Sequence, residues 1–236
     1  MQKPYEVLKN TLSSKPNVKI KLLGDSITHG VGGTGFYQNG YAIIDSFARN
    51  PDGYCWANKF KKHMEESYGC SVVNNACTGT RIQFIIENFD TLVDEEDDIV
   101  ICTIGTNNRH VCFDSGRKPT REEVGTEFYN CIIELYNKFK SIRAKVIFVA
   151  NIPASAKNEC DSDNFWRILH MDDINAIYKK ASEKLGFPLI SMYDLFSEYC
   201  EKNSVVLDSL LRDGLHPNDQ GYDVMYDLLL EELQIS

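Results

Sequence analysis

Five short apolar runs recur along the chain: VKIKLL at 18–23, SVVNN at 71–75, DIVICTIG at 98–105, KVIFVAN at 145–151 and FPLISMY at 187–193. They have the length of strands, and runs this continuously apolar suit strands covered on both faces. Between them the apolar residues fall at helical spacing. Over 121–140, Val124, Phe128, Cys131, Ile132, Leu135 and Phe139 form one stripe, and Thr120 with Glu123 has the pattern of a capping box. A second helix runs through Ile174, Ile177, Tyr178, Ala181 and Leu185 and stops at Gly186; a last one carries Tyr222, Met225, Leu229 and Leu233. Strands alternating with helices pair in parallel through right-handed crossovers. The expected fold is therefore α/β, a three-layer, doubly wound, flavodoxin-like and mostly parallel five-stranded sheet with helices on both faces. Such sheets meet their ligands at the carboxyl ends of the strands.

No Pro/Ser-rich linker, repeat or low-complexity tract divides the 236 residues, so one domain over 1–236 is expected. The 25 basic and 34 acidic residues leave a net charge of -9, which supplies no basic stripe for a phosphate backbone and argues against nucleic acid and against an anionic membrane surface. No run of about 18 apolar residues exists. The opening MQKPYEVLKN lacks the apolar core of a signal peptide, which points to the cytoplasm. The eight cysteines are scattered singly, without metal-binding or redox pairs, and read as reduced thiols.

Directly after the first strand stands Gly24-Asp25-Ser26-Ile27-Thr28, which puts a serine at the carboxyl edge of the sheet where a helix can begin. Backbone N–H groups at such a turn point outward and suit a developing oxyanion. By itself the segment reads equally as a turn and helix cap. Near the other end, Asp213-Gly214-Leu215-His216-Pro217-Asn218 sets an acid and an imidazole three residues apart, with Pro217 disfavouring helix at His216. A serine hydroxyl needs a base of near-neutral pKa, and that base needs a carboxylate to fix its tautomer. In isolation this segment too reads as a polar turn before the last helix. Asn74-Asn75-Ala76-Cys77-Thr78-Gly79 and Gly105-Thr106-Asn107-Asn108 follow the second and third strands, offering close backbone approach and an amide donor.

Together, in this order, the four segments resemble the four sequence blocks of the SGNH hydrolases, the GDSL esterases and lipases, over a span from Gly24 to Asn218. The resemblance implies the SGNH hydrolase fold and a Ser26-His216-Asp213 triad. It further implies an oxyanion hole built from the amides of Ser26 and Gly79 and the Asn107 side chain, with Thr78 or Thr80 as alternative amide donors. Tyr193-Asp194 is similar to the family's structural strand-end aspartate. The chain departs from the family's GTND at Asn108, where altered loop support is expected more than lost chemistry.

Other readings fit less well. Gly30 to Gly35 matches GxGxxG, but it begins six residues past the strand end, too late for a dinucleotide fingerprint; the glycines are expected to shape a flexible substrate loop. Neither a metal-ligand spacing nor GxSxG is present, so neither a metal nor another cofactor is expected. Candidate substrate contacts are Asp25, His29 and Trp166, and the site-shaping loops are 29–52 and 152–166, polar and aromatic through Phe36, Tyr37, Tyr41, Phe165 and Trp166. That lining favours a short acyl ester, acetyl on a carbohydrate, over a lysophospholipid or acyl thioester. A non-catalytic module for acylated sugars is the remaining alternative, weakened by the joint presence of nucleophile, base, acid and asparagine.

Overall fold

The computed structural model describes residues 2–38, 41–42 and 50–235. Its centre is a five-stranded, wholly parallel sheet of β1 (Lys19–Gly24), β4 (Ser71–Asn74), β5 (Ile99–Thr103), β7 (Lys145–Ala150) and β9 (Leu189–Ser191), ordered β4-β1-β5-β7-β9. The register sets Ile20 against Val72 on one side and Ile99 on the other, and Cys102 against Phe148. Two short antiparallel ladders lie outside the sheet: β2 (Tyr37–Gln38) with β3 (Tyr41–Ala42), and β6 (His110–Cys112) with β8 (Phe165–Arg167).

Alternation along each strand divides the apolar residues between two cores. Ile99, Ile101, Ile147 and Val149 enter one, beneath α1 (Pro4–Ser14), α3 (Trp56–Tyr68), α8 (Met192–Asn203) and α9 (Asp219–Leu233). Val100, Cys102, Val146, Phe148 and Ala150 enter the other, beneath α4 (Ile82–Glu87), α5 (Phe89–Leu92), α6 (Arg121–Ser141) and α7 (Met171–Leu185). Strands buried on both faces have no polar face to show, which is why their sequences read as continuous apolar runs.

The expected doubly wound sheet is thus present, with two of the three expected helices bounded as the sequence signals. Thr120 Oγ1 accepts from Glu123 N at 3.2 Å while Glu123 Oε2 accepts from Thr120 N at 2.7 Å, opening α6. Gly186, at φ +78°, closes α7. The fifth apolar run corrects one boundary. It ends as strand at Ser191, because Asp194 lies in the first turn of α8, its carboxylate accepting from Ser191 Oγ at 2.6 Å and Asn175 Nδ2 at 2.9 Å.

Because β1 is joined first to β4 on one side and then to β5 on the other, the chain reverses direction in the sheet at the carboxyl ends of β1 and β5. That reversal opens a crevice between the outgoing loops, and the residues after β1, β4, β5 and β7 surround it.

Candidate active site

After β1 the chain turns into the single helical turn α2 (Ser26–His29). Asp25 caps it, Oδ1 accepting from Ile27 N at 3.1 Å, and places Ser26 at the first helical position, where the amide has no partner within the helix. Gly30, at φ +116°, ends the turn; a Cβ there would lie 2.4 Å from the Phe36 ring.

The candidate acid and base, Asp213 and His216, come from the loop before α9. Leu211 bridges to Pro217, and Arg212 N donates to the His216 carbonyl at 2.8 Å, closing a tight turn around Asp213 and His216. Asp213 Oδ1 accepts from Leu215 N at 3.0 Å and from His216 N at 2.9 Å, and Oδ2 accepts from His216 Nδ1 at 2.8 Å. A carboxylate only accepts, so the imidazole proton sits on Nδ1 and Nε2 keeps its lone pair. Nε2 lies 2.8 Å from Ser26 Oγ and accepts its proton. Partial burial alone would raise the Asp213 carboxyl; the His216 ring and the two backbone donors outweigh it and hold the group well below the ordinary carboxylate range.

Four contacts fix this turn. Ser155 N, after β7, donates to the Gly214 carbonyl at 2.8 Å, and Asn158 Nδ2 donates to the Asp213 carbonyl at 3.0 Å. Arg212 Nε donates to the Gly32 carbonyl at 2.8 Å. Tyr222 of α9 donates its hydroxyl between the Ile27 and Val31 carbonyls, at 3.1 and 2.7 Å, joining the base-bearing loop to the serine turn.

On the opposite side stand the β4 and β5 loops. Asn107 lies in the 3-10 turn Thr106–Arg109, and its Nδ2 donates one hydrogen to the Thr80 carbonyl at 2.9 Å, leaving the amide's second hydrogen. Gly79 is exposed at φ +70°, with nothing within 4 Å of where a Cβ would be. Asn108 supports the loop: Oδ1 accepts from Ile82 N at 3.1 Å, the first amide of α4, and Nδ2 donates to Gln83 Oε1 at 2.9 Å.

The structure places each of the candidate substrate contacts. Asp25 is 0% exposed, its second carboxylate oxygen accepting from Asn151 Nδ2 at 3.0 Å, and burial raises its carboxyl. His29 is 3% exposed, edge-on to Phe36 and with Nδ1 3.4 Å from the Ala76 carbonyl. Both side chains are thus buried among protein groups. Trp166 pairs with Val111 in the β6–β8 ladder and packs on Phe113 at 4.9 Å. The glycine run 30–35 is not a loose loop either: Gly32 and Gly33 are buried against the His216–Pro217 and Tyr54 backbones. Of the 29–52 segment, residues 39–40 and 43–49, with the side chains of Tyr37 and Tyr41, lie outside what is described.

Asn151 escaped the sequence reading. It ends the β7 run as Ser26 follows β1, and its Nδ2 also donates to Thr106 Oγ1 at 2.6 Å, bridging three strand ends beneath the serine. Its signal was a lone polar residue at a strand's carboxyl end. Among the described residues no cluster of three metal-ligating side chains occurs, and no helix is long and apolar enough to cross a membrane.

A family model for GDSL-like lipases and acylhydrolases matches residues 22–224. The chain belongs to the GDSL-like lipase/acylhydrolase family. It is a carboxylic ester hydrolase of that family. No curated protein matches it in sequence. Among solved structures it is similar to a catalytic mutant of Axe2, an acetylxylan esterase from Geobacillus stearothermophilus, with 18% identity, a TM-score of 0.69 and coverage of 94% of this chain and 96% of that one. Unmutated Axe2 gives 19% and 0.67 over the same shares. A protein described as a GDSL-like lipase from Parabacteroides merdae gives 17% and 0.67, covering 94% and 98%. At such identities these likenesses bear on the fold, the SGNH hydrolase arrangement.

Proposed function

We propose that this GDSL-family protein, as one domain, removes a short acyl group, acetyl first, from a carbohydrate ester by a Ser26-His216-Asp213 mechanism. The observation that carries the reading is the continuous relay from Ser26 Oγ to His216 Nε2 and from His216 Nδ1 to Asp213 Oδ2, 2.8 Å at each step.

Ser26 Oγ attacks the ester carbonyl carbon as its proton passes to His216 Nε2, and Asp213 stabilises the imidazolium. The oxyanion charge is met by the amides of Ser26 and Gly79 and the remaining Asn107 hydrogen; one such donor is worth on the order of a hundredfold in turnover. Collapse returns the Nε2 proton to the leaving alcohol and leaves Ser26 acylated. Water then attacks with the same base, releasing the acid and restoring the serine hydroxyl.

The sugar acetate is supported by the acetylxylan esterase activity in Axe2's description, together with the polar and aromatic composition of 29–52 and 152–166. The cytoplasm is supported by cysteines scattered singly along the chain, four of them, Cys55, Cys70, Cys77 and Cys102, buried as thiols. Acetate, butyrate and octanoate p-nitrophenyl esters, run with acetylated sugars against wild type and Ser26→Ala, test the proposal. Serine-dependent turnover that falls with chain length is the expected result; turnover surviving in folded Ser26→Ala would overturn the mechanism.

A further inference from the structure

Beside Asn107 three guanidiniums gather around one imidazole. Arg81 follows Thr80, whose carbonyl holds the Asn107 amide, and its Nη2 donates to the His110 carbonyl at 2.7 Å. Arg167 stands opposite His110 in the β6–β8 ladder, donates from Nη1 to His110 Nδ1 at 3.4 Å and stacks over Phe165 at 4.8 Å. Arg109 is 0% exposed; its Nε donates to the Thr106 carbonyl at 3.0 Å and its Nη1 to Glu159 at 2.6 Å.

The donors outnumber the acceptors. Arg109 Nη2 and Arg167 Nε are buried and meet no hydrogen-bond acceptor in the protein. The facing carboxylates are Glu159, taken by Arg109, and Asp161, taken by Lys118 and the Arg167 amide. Three guanidiniums and one ammonium thus meet these two carboxylates and Asp25, whose charge also bears on Arg109 and whose carboxyl burial raises, in a chain whose net charge is -9. Burial, then the charges of Arg81, Arg167 and Arg109, bring His110 down to about 4, so its ring is neutral and serves as an acceptor that orients Arg167. Crowded cations are relieved by an anion, and guanidinium forks match the geometry of carboxylate and phosphate.

We propose that Arg81 and Arg167, backed by Arg109 and oriented by His110, form an anion subsite beside the oxyanion position, so that the preferred ester carries a carboxylate or a phosphate. The subsite rests on the esterase reading and names its substrate class: an acylated acidic sugar or sugar phosphate.

The test compares acetate release from three substrates, an acetylated methyl glucoside, the matching methyl glucuronoside and the matching sugar phosphate, with p-nitrophenyl acetate as reference. Wild type is expected to favour an anionic substrate by about tenfold or more in kcat/KM, the size of one charge-assisted hydrogen bond. The higher of the two anionic arms identifies the group. In Arg81→Gln and Arg167→Gln the ratio of anionic to neutral kcat/KM collapses, and Arg167→Lys restores part of it. Should a variant fail to fold, weakening of the wild-type preference as sodium chloride rises decides in its place. Equal rates on neutral and anionic sugars, or a preference unmoved in the folded variants, overturns the subsite while leaving the esterase. Serine-dependent cleavage of p-nitrophenyl acetate with none of the three sugars also overturns it. Absence of Ser26-dependent turnover on p-nitrophenyl acetate removes the esterase reading itself.

Discussion

Gly32 and His216 are in backbone-level contact: a Cβ on Gly32 would lie 2.9 Å from the His216 Cβ and 2.1 Å from the carbonyl oxygen of Pro217. The His216 ring, the proposed base, is therefore held at its distance from Ser26 by a glycine that takes no part in the proposed reaction. Gly32→Ala would add strain at φ +107° and push the backbone of the His216 turn outward. An outcome of about 1–3 kcal/mol lost in stability, with kcat falling more than KM rises, is expected. Thermal melts and steady-state kinetics on the same preparation check it; unchanged kcat would mean that the turn is placed by other contacts.

Asp213→Asn keeps an oxygen for the Leu215 and His216 amides but no longer requires a proton on His216 Nδ1. Turnover should fall by on the order of 10⁴ with the fold intact. The same substitution carries a pH signature. In the folded state the Asp213 carboxyl is lowered from 3.8, so its stabilisation is complete above that value and is lost as pH falls below it. Acid unfolding followed by circular dichroism should show wild type losing its margin over the variant below pH about 4.

Asn108 bridges the β5 loop to the start of α4. Asn108→Ala leaves the Ile82 amide without its acceptor and should cost about 1–2 kcal/mol, a fall in Tm of several degrees. Asn108→Asp keeps an acceptor for that amide and should cost less. Calorimetry on the two variants separates cap loss from a wider packing defect, which would lower both equally.

Asp25 has the opposite sign to Asp213. Burial raises its carboxyl above 3.8 in the folded state, so ionisation opposes folding, absent at low pH and growing as pH rises through that raised value. Asp25→Asn still caps Ile27; its new amide faces Asn151 Nδ2, so the Asn151 amide turns over and its oxygen, which meets no donor in wild type, accepts from the new amide and from Thr106 Oγ1. The variant should therefore gain stability relative to wild type between pH 4 and 7. A difference that does not change with pH would mean that the carboxyl is not raised.

The strands, the doubly wound sheet and two of the helices with their ends were legible in the sequence, because double-sided burial and helical periodicity leave marks on neighbouring residues. Ser26, Asp213, His216 and Asn107 stood out as candidates at strand ends and in a Pro-limited turn, since those signals too are local. That Asp25 and His29 are buried was not legible, because polar residues next to a serine look like crevice residues and only packing decides their exposure. Whether Ser26 and His216, 190 positions apart, come within a hydrogen bond was decided by tertiary structure alone. The carboxyl end of β1, the Gly32 contact and the Tyr222 hydroxyl must converge for that distance to form. The same holds for Asn151 beneath the serine and for the arginines around His110: residues 81, 109 and 167 carry no common local pattern, and the fold of the β4, β5 and β7 loops is what assembles their charges in one place.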